Sequence, residues 1–151
     1  MNVKQISVIR GQYPAVVIHS LADARAVLAI GLPVTLLSAR GAALFAGSAW
    51  WRALVSKARD EFPNVAIGDI LDCADASGLA LSALRLGQRA LILEAAAPGW
   101  SAVAAIAASL GGEVFIHRPT AIDMGNPSEV RRLRDWLQVR STPDDSGHAL
   151  S

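Results

Sequence analysis

Residues 16–37 read VVIHSLADARAVLAIGLPVTLL, and the fold is decided here. Val16-Val17-Ile18-His19 is a short apolar run with the β-branched composition of a buried strand. Ser20 is a residue type that caps a helix by accepting a backbone N–H, so a helix is expected from Leu21 to Ile30. Gly31 suits the left-handed residue that ends one. Pro33 to Leu37 then supplies a second strand. Strand, helix and strand joined by connections this short form a right-handed crossover, and the two strands run parallel.

The same unit repeats outward from this stretch. A long helix is expected between Gly41 and Phe62, with Leu44, Gly47, Trp51, Leu54, Ala58 and Phe62 stepping along one face. Pro63-Asn64 closes it, and Val65 to Leu71 is a third strand. A helix from about Asp75 to Leu86 stops at Gly87, and Ala90 to Leu93 is a fourth strand. A helix from about Trp100 to Leu110 stops at Gly111-Gly112, and Val114 to Ile116 is a fifth. Asn126-Pro127-Ser128-Glu129 carries a cap, a first-turn proline and a glutamate three residues after the cap. The helix it opens is expected to run to about Val139, with Val130, Leu133 and Leu137 on one face.

The fold class is therefore α/β, with a mostly parallel sheet of about five strands alternating with helices. Five units are too few for an eight-fold barrel. They suit an open doubly wound, Rossmann-like sheet, or a partial β/α barrel that buries its flank against another copy. Residues 1–140 read as one domain, to which Gln5 to Ile9 adds an edge strand. The polar stretch 141–151, with proline and glycine, reads as a disordered tail.

Composition narrows the function classes. The chain has 151 residues, of which 52% are apolar and 18% charged. The apolar surplus suggests elements buried on more than one face, or a protomer with a subunit interface. Net charge is +1, so no strong field draws nucleic acid or an anionic membrane. Arg131, Arg132 and Arg134 form no basic stripe with interleaved aromatics, and nucleic-acid binding is not expected. Cys73 is the single cysteine, which removes an intrachain disulfide or a cysteine metal cluster and suits a small apolar filler. Met1 to Arg10 lacks the apolar core of a signal peptide. Ala95 to Gly112 is free of charge for about the length of a membrane span. Pro98-Gly99 interrupts it, so it reads as a loop and a core helix of a soluble, cytoplasmic protein.

Ligands of parallel α/β sheets bind outside the carboxyl ends of the strands. His19, Ser38, Arg40, Asp69, Asp72, Glu94, His117 and Arg118 stand at or just beyond those ends. Polar residues at strand ends also cap the helices that follow. As a set they allow His117 with Asp69 or Glu94 to act as a general acid–base pair. His19, Ser38, Arg40 and Arg118 would then hold a small anionic ligand. His19 and His117 with a carboxylate would also suit a metal, but no HxH or HExxH spacing is present and no metal is assigned. Ser38-Ala39-Arg40-Gly41 opens a helix without being a phosphate-binding Walker loop, and no GxGxxG follows any strand. No cofactor is therefore identified. Trp50 and Trp51 are adjacent and cannot share a helix face. Trp51 fits the apolar stripe, which leaves Trp50 as the candidate anchor of a homo-oligomer.

Part of the chain resembles a known family. Val34-Thr35, the helix leading into Glu61-Phe62-Pro63, Ile67-Gly68, and Ala83-Leu84-Arg85-Leu86-Gly87 before Ala90 resemble the small β/α aldolases of the 2-keto-3-deoxy-6-phosphogluconate type. The resemblance runs from the second strand to the fourth, under half of the chain, and implies the βαβ architecture. That family places an acid–base glutamate before the Val-Thr pair, where this chain has Pro33. It also forms a Schiff base through a strand lysine, whereas the lysines here are Lys4 and Lys57. The architecture is expected to carry over and the aldolase chemistry is not.

Two readings of function follow. One is a non-catalytic domain that binds a small anion or assembles with a partner. The other is a lyase- or hydrolase-like enzyme with a histidine–carboxylate site at the strand ends.

Overall fold

The alternation expected from residues 16–37 continues through the computed structural model, which describes residues 13–141. The elements are β1 (Ala15–Val17), α1 (Leu21–Leu28), β2 (Val34–Leu37), α2 (Ala42–Phe45), α3 (Ser48–Glu61), β3 (Ile67–Asp72) and α4 (Ser77–Arg85). They continue with β4 (Ala90–Ile92), α5 (Trp100–Ser109), β5 (Glu113–Phe115), β6 (Ala121–Asp123), α6 (Pro127–Val130) and α7 (Leu133–Ser141). The strands form one sheet in the order β5-β4-β3-β2-β1-β6, and every neighbouring pair is parallel. The stretches Gln5 to Ile9 and 142–151 lie outside the described residues.

From β1 to β5 each strand is added beside the last in the same direction. Right-handed crossovers then deliver every intervening helix to one face. Helix α1 packs on α3, α3 on α4 and α4 on α5, in one continuous layer. Two apolar clusters follow. Val16, Ile18, Leu36, Ile67, Leu71 and Leu91 face the helices and pack with residues such as Trp51, Val55 and Leu84. Val17, Leu37, Ile70, Ala90 and Ile92, with Phe115 and Ala121 against them, make a second cluster to which the strands alone contribute.

That second cluster is buried because the sheet curls. Phe115 is in register with Ile92 and Asp72, whereas Ala121 is in register with Ala15, Thr35 and Gly68, a level four residues lower on β3. In a flat sheet of six strands, these two residues would be separated by about 24 Å sideways and about 13 Å along the strands. The six residue steps from Phe115 to Ala121 reach at most about 21 Å. The edges must therefore approach each other. Of the two arrangements that the alternation allows, the one-sided helix layer and the curvature follow the partial β/α barrel.

Three elements differ from expectation. The single helix foreseen between Gly41 and Phe62 is two, α2 and α3, separated at Gly47, which adopts φ 88° and ψ 155°. In consequence Leu44 leaves the stripe and is exposed, while Trp51, Leu54 and Ala58 stay buried. The helix foreseen from Asn126 to Val139 is likewise broken into α6 and α7. Strand β6 was not foreseen, because three residues carry no readable period. Its partner β1 also lies on the far side of the sheet from β5.

The stop at Gly31 is as expected, with φ +82°, and Ser20 Oγ accepts from the Asp23 N–H. Among the described residues no helix is long and apolar enough to cross a membrane.

Candidate functional site

Alternation along β3 divides its carboxylates. Asp69 lies between Ile67 and Leu71 on the helix side, while Asp72 follows Gly68 and Ile70 on the concave side. Asp69 does not reach the strand ends. Its Oδ2 accepts from Trp51 Nε1 at 3.1 Å, Gln88 Nε2 at 2.8 Å and Arg52 Nη1 at 3.3 Å. Its Oδ1 accepts from Arg59 Nη2 at 2.8 Å. This carboxylate ties α3 and the turn before β4 to the middle of the sheet.

Asp72, at the carboxyl end of β3, holds Arg118. Arg118 Nη1 donates to Asp72 Oδ2 at 2.6 Å, and Nη2 donates to the Ser38 carbonyl at 3.0 Å. Arg118 belongs to residues 116–120, the connection that crosses from the end of β5 to the start of β6. Its reach to β3 and to the end of β2 fixes that connection over the concave side. The other Asp72 oxygen, Oδ1, accepts from the Ala74 N–H at 2.8 Å. Among the described residues, Ala74 is the non-glycine residue with positive φ, at 50°. Its carbonyl accepts from the Glu94 N–H at 2.8 Å.

His19 and Asp123 meet beside this group. They follow β1 and end β6, which are neighbours, and His19 Nε2 stands 2.6 Å from Asp123 Oδ1. Both side chains remain 42% exposed. With the proton on Nε2 the ring donates to the carboxylate, and Nδ1 becomes the acceptor. The carboxylate is itself fixed from several sides. Its Oδ1 also accepts the Gly125 N–H at 2.7 Å, the Asp123 N–H donates to Glu129 Oε2 at 2.7 Å, and the Asp123 carbonyl accepts from the Asn126 N–H at 3.0 Å. Burial pushes the Asp123 carboxyl up. Its bonds to His19 and Gly125 and the charges of His19 and Arg118 outweigh that and leave it below its ordinary value.

Glu129 thus serves the strand rather than the expected capping box. The side-chain oxygen of the cap Asn126 accepts from the N–H and the hydroxyl of Ser128.

The remaining residues foreseen for a site make no side-chain hydrogen bond to His19 or Asp123 among the described residues. Ser38 is buried. Its Oγ accepts from the Asp72 N–H at 2.9 Å and donates to the Ala39 carbonyl at 3.1 Å, so it braces β2 to β3. Arg40, Glu94 and His117 are exposed beyond the ends of β2, β4 and β5, and no side-chain hydrogen bond of theirs occurs among the described residues. The loop from Ser38 to Gly41 opens α2, which has four residues and too little dipole to bind an anion. Cys73 is buried, and burial, helped by the Asp72 charge, pushes its thiol up to about 12, which makes it inert as a nucleophile. Among the described residues no group of three or more His, Cys, Asp and Glu is placed to hold a metal ion.

Asp123 is the residue that sequence reasoning missed, because its strand was missed. The parity of β3 was legible, and would have assigned Asp72 rather than Asp69 to the concave side. Compared with known proteins, the chain matches no family model and no curated protein.

Proposed function

We propose that this chain is an acid–base enzyme of lyase or hydrolase type, working at the carboxyl ends of its strands. His19 moves the proton and Asp123 holds and polarises its ring. The observation that carries this reading is the 2.6 Å contact between a half-exposed imidazole and a carboxylate, at the ends of adjacent parallel strands where such sheets bind ligands. A carboxylate on one ring nitrogen sets the tautomer and stabilises the imidazolium that forms when the other nitrogen takes a proton. Arg118 and Asp72 stand alongside. Arg118 is neutralised by Asp72 and has further N–H groups with which to orient a small anionic or carbonyl substrate, with Arg40, Glu94 and His117 at the rim. The backbone of Ala74, in the left-handed region, adds support, since such conformations gather at functional sites.

Kinship with the 2-keto-3-deoxy-6-phosphogluconate-type aldolases is supported by the one-sided layer of helices on a curled parallel sheet. Lys57 lies within α3, so a Schiff-base mechanism is not part of the proposal. The setting we propose is the cytoplasm.

The test exposes purified protein in D2O to a panel of small keto acids, phosphorylated sugars and hydroxy acids, and reads C–H exchange by proton NMR. Chromogenic esters and phosphoesters are assayed in parallel. Activity that falls at least about 100-fold in His19→Asn supports the reading. Activity indifferent to His19, or none on any compound, turns the argument to a non-catalytic role.

One observation favours assembly with a second copy as well. Phe45 is 71% exposed, next to exposed Leu44, and Trp50 at the start of α3 is also exposed, the type of surface that interfaces use. Light scattering on Phe45→Lys and Trp50→Lys tests it: an unchanged molar mass removes these residues as anchors.

A further inference from the structure

The turn between β6 and α6 is built around the His19–Asp123 contact. Gly125 lies against it so closely that a Cβ there would stand 3.1 Å from both Asp123 Oδ1 and His19 Nε2, and 3.4 Å from His19 Cδ2. The Gly125 backbone is not in the left-handed region, so backbone conformation does not require a glycine. What a side chain would disturb is the contact itself, whose atoms would have to give by a few tenths of an ångström. The same residue gives its N–H to the oxygen that His19 approaches. From the other side Glu129 Oε2 accepts the Asp123 N–H, at a helix start where a glutamate would ordinarily turn back to the cap. The groups facing Asp123 are thus His19 after β1, Gly125 in the turn, the Glu129 carboxylate of α6 at its backbone N–H, and the Arg118 charge from the 116–120 connection.

We propose that Gly125 and Glu129 are positioning residues of this site, Gly125 by leaving room for the imidazole and orienting Oδ1, and Glu129 by fixing the backbone of Asp123. The proposal rests on the His19–Asp123 reading of the site but concerns its geometry, which can be measured without a substrate.

The experiment follows the Asp123 side-chain carboxyl by carbon NMR through an acid titration of the full chain, in the parent protein and in Gly125→Ala, Glu129→Ala and Glu129→Gln. Amide spectra establish that each variant is folded. The expected result is that the Asp123 midpoint rises by about one unit in Gly125→Ala, as the contact with His19 opens. The midpoint in Glu129→Ala is expected to stand above that in Glu129→Gln, which loses the same negative charge but keeps a side-chain oxygen that can accept the same N–H. A folded Gly125→Ala with an unmoved midpoint overturns the role of Gly125. If that variant does not fold, the glutamate pair decides: equal midpoints in Glu129→Ala and Glu129→Gln overturn the clamp, and a higher midpoint in Glu129→Ala than in Glu129→Gln sustains it. Failure of every catalytic assay beside a positive titration would reject the enzymatic reading and leave the clamp standing.

Discussion

Asp69 faces the helix layer and Asp72 faces the concave side because successive side chains of a strand point to opposite faces. Asp69 is nearly inaccessible and holds two guanidinium groups, an indole N–H and an amide. Replacing it by Ala leaves Arg52 and Arg59 uncompensated around a buried hole. The expected cost is about 3 kcal/mol, read as a fall in the urea midpoint. A loss under about 1 kcal/mol would mean that water satisfies those groups. Asp123 makes a pH prediction. Its carboxyl is more acidic in the folded chain than its ordinary value, so its ionised form favours folding. That contribution is present above about pH 4 and is lost as pH falls through the depressed folded value. His19→Asn removes the hydrogen bond that lowers it most. Thermal melting of that variant should fall less steeply with acid than the parent's, and parallel acid limbs would refute the assignment.

The elements end where local chemistry makes them end, but one break depends on a single backbone conformation. Gly47 joins α2 to α3 at φ 88° and ψ 155°, a region that is essentially confined to glycine. No atom lies within 4 Å of where its Cβ would be, so the cost of a side chain there is backbone strain without steric clash. Gly47→Ala is expected to destabilise the protein by about 1–3 kcal/mol in chemical denaturation. A neutral result would show that α2 and α3 can join into one helix. Such a helix would carry Leu44 back onto the stripe of Trp51 and Leu54, which is where the spacing of apolar residues alone places it. The stripe was therefore legible in α3 and misleading in α2, since periodicity does not register which glycine is helical.

At the scale of the molecule the sheet is held in its curve by the residues 116–120. They span from one edge to the other, with Arg118 fastened to Asp72 and to the Ser38 carbonyl. Asp72 has a side chain only 3% exposed, and Arg118→Ala would strand its charge. The expected loss is about 3 kcal/mol, together with faster amide hydrogen exchange in β5 and β6, the two edges that this connection draws together. Exchange that speeds uniformly across all strands would instead mean that Arg118 contributes to global stability alone.

The sequence by itself determined the alternation of strand and helix, the parallel sheet that follows from it, and the end of that sheet where polar residues collect. His19 and Arg118 were legible as residues of that end. These are local properties, written in runs of five to fifteen residues by apolar period, caps and glycine stops. The tertiary structure alone decided which of them meet. Strand β6 is three residues long, and it exists as a strand because β1 offers an unpaired edge to it. Without it Asp123 has no fixed place and His19 no partner. Glu94 and His117 follow the paired strands β4 and β5, yet among the described residues no side-chain hydrogen bond joins them, since both side chains stand exposed beyond the strand ends. Asp69 was drawn away by the arginines of α3, whose approach depends on the helix layer covering one face. Hydrogen bonds and ion pairs between residues so distant in the chain form only once the sheet has curled, and no local period encodes them.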